Sequence, residues 1–126
     1  MNPLLKIDVR NENFFEHEGQ YDLVWDCTFL CALEPIVRER WASKMRSLVK
    51  VGGVLLTCIF PLSATRTGGP PYALTVKTVR ALLGKMGFEA TNVREDLPVE
   101  EHHRPGGFTG SDATALAEWR ISRVLL

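Results

Sequence analysis

The sequence lacks an excess of either charge, because 15 Lys and Arg residues balance 15 Asp and Glu residues. Nucleic acids and anionic membranes bind proteins through basic surfaces, so we expect neither as the main partner. No apolar run approaches the roughly 18 residues that a membrane-spanning helix needs. The first residues also lack the basic start and apolar core of a secretory signal. These absences predict a cytoplasmic protein.

Cysteine is scarce, and its three occurrences are Cys27, Cys31 and Cys58. An odd number leaves one thiol outside any disulfide pattern, so reduced thiols are the simplest account. The spacing of Cys27 and Cys31 does not match a redox C-x-x-C motif. No cysteine lies at metal-ligand spacing from the adjacent His102 and His103. We therefore predict no metal site and a solvated loop around the two histidines.

The hydrophobic pattern alternates short apolar strands with amphipathic helices. The pattern predicts strands over residues 4–10, 21–26, 54–60, 88–93 and 118–126, and helices over residues 35–50 and 76–86. Such alternation is typical of a parallel α/β sheet. The last two strands have no helix between them, which predicts an antiparallel final strand. The 126 residues suit one domain, residues 1–126.

Local signals mark the ends of both helices. Pro35 is favourable at the first position of the first helix, and Gly52-Gly53 is expected to end that helix. Thr75 is expected to cap the second helix, because its side-chain oxygen can accept a hydrogen bond from a free backbone N–H. Each helix presents one apolar stripe, so each is expected to bury one face.

The stretch at residues 21–33 carries a family resemblance. Its sequence, YDLVWDCTFLCAL, resembles a signature of thiopurine S-methyltransferase-like proteins, which include plant and fungal thiol and halide methyltransferases. Further pieces follow in the matching order: RERWA at 38–42, VGGVLL at 51–56, IFPL at 59–62, GGPPY at 68–72 and EWR at 118–120. The resemblance extends over residues 8–126.

The resemblance implies a class I methyltransferase fold, a Rossmann-like sheet with strand order 3-2-1-4-5-7-6 and an antiparallel strand 7. Residues 4–10 then correspond to a remnant of strand 3, and the remaining strands to 4-5-7-6. Strands 1 and 2 are missing, together with the glycine motif of strand 1 and the acid that follows strand 2. We therefore expect an incomplete α/β fold, a single partial methyltransferase domain that matches the C-terminal half of the family.

The resemblance also implies S-adenosylmethionine (SAM) as cofactor. Glu12 and Asn13 occupy the loop that contacts the adenine end, where the Asn13 oxygen can accept a hydrogen bond from the exocyclic amine. The alternative for Asn13 is a turn-forming role. Asp26 and Cys27 end strand 4, beside the methionine part of SAM, and Cys27 is expected to contact it through the backbone. The alternative for Asp26 is to cap nearby backbone amides.

The same resemblance implies a substrate cavity. Thr28 and Phe29 are expected to border it, and Pro70 and Tyr72 lie in the loop that would cover the substrate, unless that loop is a rigid surface turn. Methyl transfer to a soft nucleophile depends mainly on alignment of the two reactants. We therefore assign no catalytic residue, and His17 is a candidate general base only as an alternative to an ordinary loop residue.

The implied activity is SAM-dependent methylation of a thiol or a similar small nucleophile. One alternative is a non-catalytic interaction module derived from a methyltransferase. Another is a plain nucleotide-binding α/β domain. Without strands 1 and 2, the apolar strand 4 becomes an open edge, and such edges pair readily with other chains. The sequence thus predicts a marginal or aggregating monomer, a homodimer through that edge, or pairing with a full-length homologue through it.

Overall fold

A computed structural model describes residues 6–103 and 113–122. The chain forms a four-stranded sheet with the order β1-β2-β4-β3. The strands are β1 (Tyr21–Cys27), β2 (Val49–Ile59), β3 (Phe88–Arg94) and β4 (Ala115–Ile121), and the helices are α1 (Arg38–Leu48) and α2 (Val76–Gly84). β1 pairs with β2 in parallel, whereas β4 pairs antiparallel with both β2 and β3. This arrangement confirms the predicted order 4-5-7-6 with an antiparallel strand 7.

The strand predicted at residues 4–10 is wrong where the structure describes it. Residues 6–10 form no regular secondary structure, and residues 4 and 5 lie outside the described residues. A strand is stable only when its backbone N–H and C=O groups find partners on a neighbour. In the described ranges residues 6–10 pair with no strand, and β1 has β2 as its strand neighbour. The backbone groups of residues 6–10 therefore lack the partners that a strand needs.

Both helices pack on one face of the sheet and bury it. Val24, Asp26, Leu55, Thr57 and Ile59 alternate on this face because successive side chains of a strand point to opposite sides. The helices contribute Trp41, Met45, Val79 and Leu83 to the same buried cluster. The opposite face carries Trp25, Cys27, Cys58 and Leu116, which line a hollow. The fold therefore leaves this second face accessible at the carboxyl ends of β1 and β2.

The helix ends follow local chemistry in part. Thr75 caps α2 as predicted, since its hydroxyl oxygen accepts a hydrogen bond of 3.0 Å from the backbone N–H of Thr78. Pro35 opens a short 3-10 turn, Pro35–Val37, immediately before α1. Within the described ranges, neither helix is long and apolar enough to cross a membrane.

The role predicted for Gly52-Gly53 is wrong. α1 ends at Leu48, and the glycines lie inside β2, which begins at the next residue. A Cβ atom on Gly53 would lie 2.9 Å from the carbonyl oxygens of Asp22 and Lys50. The register between β1 and β2 shifts at this point, between Tyr21 and Leu23. Close approach of two backbones, rather than the end of a helix, is what requires glycine here.

Replacing Gly53 with alanine is therefore expected to lower the free energy of unfolding by about 1–3 kcal/mol, because the new methyl group meets backbone atoms that cannot move aside. Gly84→Ala at the end of α2 is the matched control. A Cβ atom there has nothing within 4 Å, so this substitution should leave stability unchanged or raise it by about 0.5 kcal/mol. Urea unfolding of both variants is the measurement, and equal effects would contradict the close-approach account.

Candidate functional site

A cleft lies where the carboxyl ends of β1 and β2 meet the segment before β4. It consists of two hollows that share His103, and together they are called the carboxyl-end cleft below. The first, of about 310 Å³, is lined by Thr28, Cys31, Ala32, Phe60, Pro70, Pro71 and His103. The second, of about 460 Å³, is lined by Trp25, Cys27, Cys58, Arg94, Leu97, Glu101, His103, Thr114 and Leu116. This is the edge at which open α/β sheets bind their ligands.

Asp26 supports the cleft from the helix side. Its side chain is only 3% exposed, and one carboxylate oxygen accepts a 2.8 Å hydrogen bond from the Trp41 indole N–H. The other accepts a 3.3 Å bond from the backbone N–H of Leu30. Burial raises the pKa of Asp26, and the hydrogen bonds from Trp41 and Leu30 oppose that rise. These contacts match the capping alternative, and a direct cofactor contact by Asp26 stays a prediction.

Cys27 lines the second hollow, beside two groups that its sequence context does not connect with it. Its sulfur is 4.0 Å from Nδ1 of His103. Its register partner across the parallel pair is Cys58. Burial, together with the neighbouring Cys27, raises the pKa of the Cys58 thiol to about 12. The second hollow of the carboxyl-end cleft is thus lined by two thiols and an imidazole.

Thr28 and Phe29 diverge after β1. Thr28 has a φ of 62°, its hydroxyl donates a 2.6 Å hydrogen bond to the Cys27 carbonyl oxygen, and it lines the first hollow. Phe29 instead packs edge-on against Phe14, with ring centroids 4.9 Å apart. The structure therefore brings Thr28 to the cleft, whereas Phe29 supports the turn from the core side.

The loop that carries Pro70 and Tyr72 is fastened to the turn after β1. The Tyr72 backbone N–H donates a 2.6 Å hydrogen bond to the Cys31 carbonyl oxygen. Pro70 lines the first hollow together with Thr28. The Tyr72 ring packs over Gly69, where any side chain would collide with it. Pro70 and Thr28 thus line the same hollow, and Tyr72 holds the loop in place. Contact of these residues with a substrate stays a prediction.

Glu12 and Asn13 lie in a different environment. The Glu12 carboxylate contacts Nδ1 of His17 at 2.5 Å, and His17 Nε2 lies 2.6 Å from the Tyr21 hydroxyl. These three line a separate hollow of about 390 Å³ with Asp8 and Arg10. Asn13 caps the short 3-10 helix Phe14–Glu16, accepting a 2.9 Å hydrogen bond from the Phe15 N–H. The observed contact matches its turn-forming alternative.

The solvated loop predicted around the histidines is wrong for His102. This side chain is only 7% exposed, and its Nδ1 accepts a 3.0 Å hydrogen bond from the backbone N–H of Thr114. Its Nε2 lies 3.0 Å from the Leu97 carbonyl oxygen. Because adjacent side chains point apart, His102 enters the interior while His103 faces the cleft. Among the described residues, no group of three His, Cys, Asp or Glu side chains could hold a metal ion.

Sequence reasoning missed His103 and Cys58 as site residues. His103 is 76 residues from Cys27 in the chain, so no local spacing could connect them. Cys58 lies in an apolar strand that resembles any buried segment. The one available signal was the parallel pairing of the two strands, because it places Cys27 and Cys58 in register.

Curated relatives match the chain over most of its length. It is 45% identical over 85 residues to a protein named "probable thiol methyltransferase 2" from Arabidopsis thaliana, an alignment that covers 66% of this chain and 37% of the relative. It is 32% identical to a thiopurine S-methyltransferase from Bos taurus, over 71% of this chain and 36% of that protein. The matches thus span little more than a third of each relative.

Solved structures support the fold. A SAM-dependent methyltransferase from Methanosarcina mazei superposes with a TM-score of 0.65 at 14% identity, over 89% of this chain and 66% of the other. At that identity the likeness concerns the fold alone, a Rossmann-like methyltransferase sheet. The sequence profile of the thiopurine S-methyltransferase (TPMT) family matches residues 6–118. The chain therefore belongs to the thiopurine S-methyltransferase family.

Proposed function

We propose that this chain forms one wall of the active site of a SAM-dependent methyltransferase that acts on a thiol or a similar small soft nucleophile. The observation that carries the proposal is the carboxyl-end cleft, in which Thr28 and Pro70 face the same hollow. Family membership supports methyl transfer, and the Arabidopsis relative supports a thiol acceptor. Three free cysteines support a reducing compartment such as the cytoplasm.

The described residues fit one wall of a SAM site. The turn after β1 has a left-handed residue, Thr28, and Cys27 and Thr28 are the proposed contacts of the methionine part. Asn13 keeps a role at the adenine end, because its oxygen accepts one hydrogen bond and a carbonyl oxygen has two lone pairs. Glu12 can use its second oxygen in the same way. Asp26 acts on this wall by fixing the turn after β1 through Leu30.

When bound, SAM would supply a methyl group already activated on a sulfonium sulfur. The remaining task of the protein is to align the acceptor with that group and to exclude water. Pro70, Pro71 and Phe60 all line the first hollow. These rigid apolar groups suit a small, soft acceptor better than a charged one, because burial of an unpaired charge is unfavourable.

Filling the first hollow should weaken ligand binding. Ala32 is exposed and lines that hollow, so Ala32→Trp places an indole in it without disturbing the core. We expect wild-type chain to bind SAM and its demethylated product by calorimetry, and Ala32→Trp to weaken both by at least about tenfold, roughly 1.4 kcal/mol.

Ala64→Trp is the matched control for that substitution. Ala64 is also exposed, but it lies in the loop after β2 and does not line the carboxyl-end cleft. Its binding heat should equal that of the wild type. Absence of binding heat from the wild-type chain at millimolar ligand would refute the proposed cofactor site, and equal weakening by both substitutions would place the site elsewhere.

A second candidate function, an interaction module, is favoured by the exposed edge of the sheet. Leu23 and Trp25 on β1 are 57% and 53% exposed, which is unusual for apolar strand residues. The outer edge of β1 has no strand partner among the described residues, so its backbone groups can pair with another strand. We propose a second copy of this chain as the partner, because two copies with a net charge of zero do not repel each other.

Sedimentation velocity of the wild-type chain tests this second candidate. A monomer–dimer equilibrium that shifts with protein concentration is the expected result. A strictly monomeric chain at every concentration would contradict it. A chain that is monomeric alone but binds a full-length homologue would contradict self-association and identify the homologue as the partner of the β1 edge.

A further inference from the structure

Cys27 and Cys58 are placed where a disulfide could form. They are register partners on the parallel strands β1 and β2, so both side chains point to the same face. Neighbouring strands lie about 4.8 Å apart, within the Cα separation of about 4.4–6.8 Å that disulfides require. Both thiols are free and half-buried, and both line the second hollow of the carboxyl-end cleft. A small reagent in the cleft therefore reaches both.

The two thiols have different surroundings. Cys27 has the imidazole of His103 at 4.0 Å, a long hydrogen bond to sulfur. The His103 ring is held by Phe60, with centroids 4.7 Å apart. Burial, together with the neighbouring Cys27, raises the pKa of Cys58 to about 12, so Cys58 stays protonated at neutral pH. Cys27 thus has an imidazole beside its sulfur, whereas Cys58 is a half-buried, protonated thiol.

Other titratable groups surround the pair. Arg94 and Glu101 line the same hollow, and their charges face each other at 3.7 Å. Cys31 and Asp26 act on Cys58 electrostatically, and both raise its pKa. The His103 ring nitrogen lies 4.0 Å from the Cys27 sulfur, within hydrogen-bond distance of it, so the geometry assigns His103 as the base.

We propose that Cys27 and Cys58 form a peroxide-oxidisable thiol pair, with Cys27 as the attacking sulfur, His103 as its proton acceptor and Cys58 as the resolving thiol. The pair shares Cys27 with the proposed cofactor wall, but the oxidation itself requires neither SAM nor the proposed function. Its reactant is a hydroperoxide small enough to enter the second hollow. The product is a disulfide between the carboxyl ends of β1 and β2, in the wall of the second hollow.

The reaction has two balanced steps. The Cys27 thiol gives its proton to His103, and the thiolate attacks one peroxide oxygen. The O–O bond breaks, and the leaving hydroxide takes the proton from the imidazolium to become one water. Cys27 is now a sulfenic acid. The Cys58 sulfur then attacks the Cys27 sulfur, the S–O bond breaks, and the departing hydroxide takes the Cys58 proton as a second water. Overall, two thiols are oxidised to a disulfide and one hydrogen peroxide is reduced to two waters.

Intact-mass measurement of the full chain after hydrogen peroxide treatment tests the proposal. The expected result is the loss of two hydrogen atoms, reversed by a dithiol reductant, with an unreduced tryptic link between residues 11–38 and 51–66. Cys27 and Cys31 fall in the same tryptic peptide, so Cys31→Ser is the matched control and should still form the link. Cys58→Ser should stop at a sulfenic acid that dimedone traps on Cys27. A link that needs Cys31, or that joins two chains, would overturn the proposal.

The role of His103 as a positioned base is tested by pH dependence. His103→Gln keeps the backbone N–H that donates to the Thr114 hydroxyl oxygen, so the segment should stay in place. Dimedone trapping of Cys27 should slow by about tenfold at neutral pH. It should recover at alkaline pH, where thiols ionise without help. A rate unchanged at neutral pH, or lowered equally at every pH, would assign His103 no such role.

Discussion

Replacement of Asp26 with alanine is expected to lower the free energy of unfolding by about 2–3 kcal/mol. The substitution leaves the Trp41 indole N–H without its 2.8 Å partner in a core where Trp41 is fully buried. It also frees the Leu30 N–H and with it the turn that leads into the cleft. Buried donors that lose a charged acceptor destabilise proteins more than most surface changes do. Urea unfolding followed by tryptophan fluorescence is the measurement.

Asp22→Ala is the matched control on the same strand. Asp22 is 89% exposed, and its carboxylate lies 3.7 Å from the Lys50 ammonium. Exposed ion pairs of this kind contribute little, about 0–1 kcal/mol, so stability should change by no more than about 0.5 kcal/mol. Equal losses in the two variants would show that the buried contacts of Asp26 do not hold α1 and β1 together.

Asp26 also makes stability depend on pH, which Asp26→Asn isolates. Burial raises the pKa of the folded carboxyl above its ordinary value of 3.8. Between the two pKa values the folded chain binds more protons than the unfolded chain, so stability falls as pH rises. The stability of wild type relative to Asp26→Asn should therefore decrease as pH rises from about 3.8 through the folded pKa, and stay constant above it. If the stability of wild type relative to Asp26→Asn instead increased with pH, the hydrogen bonds would lower the pKa of Asp26 by more than burial raises it.

Replacement of Trp25 with lysine is expected to abolish the proposed association through β1. Lysine on an edge strand opposes pairing, because the ammonium must be desolvated against the second chain. The dissociation constant should rise by at least about a hundredfold, roughly 2.7 kcal/mol. Sedimentation velocity across a range of concentrations measures it. Since Trp25 is 53% exposed, the substitution should leave the fold intact, which circular dichroism can establish.

Ile36→Lys is the control for that substitution. Ile36 is 84% exposed and lies in the 3-10 turn before α1, away from the β1 edge. The Ile36→Lys substitution also replaces an exposed apolar side chain with a positive charge. Because Ile36 is not on the β1 edge, the dimer should persist. Loss of association in both variants would point to general charge repulsion, and loss in neither would exclude β1 as the interface.

Much of the fold could be predicted because its signals are local or carried by the resemblance. The apolar stripes set the faces of α1 and α2, and the Thr75 cap depends on a backbone N–H only three residues away. The strand order followed from the matched motifs. The site was less accessible to prediction. Thr28 and Pro70 line one hollow. Glu12 instead contacts His17, and Asn13 caps its own turn. A cofactor role for Glu12 or Asn13 therefore has to be compatible with these contacts.

The sequence by itself determined the alternation of strands and helices, the class of sheet and the family, because periodic burial and contiguous motifs are properties of short segments. Only the tertiary structure decided which groups meet across the chain. It directs the Asp26 carboxylate to Trp41, places Gly53 between two carbonyl oxygens inside β2, and brings His103 to Cys27. Such contacts arise from the pairing of strands and the packing of helices, and residues far apart in sequence carry no local mark of them.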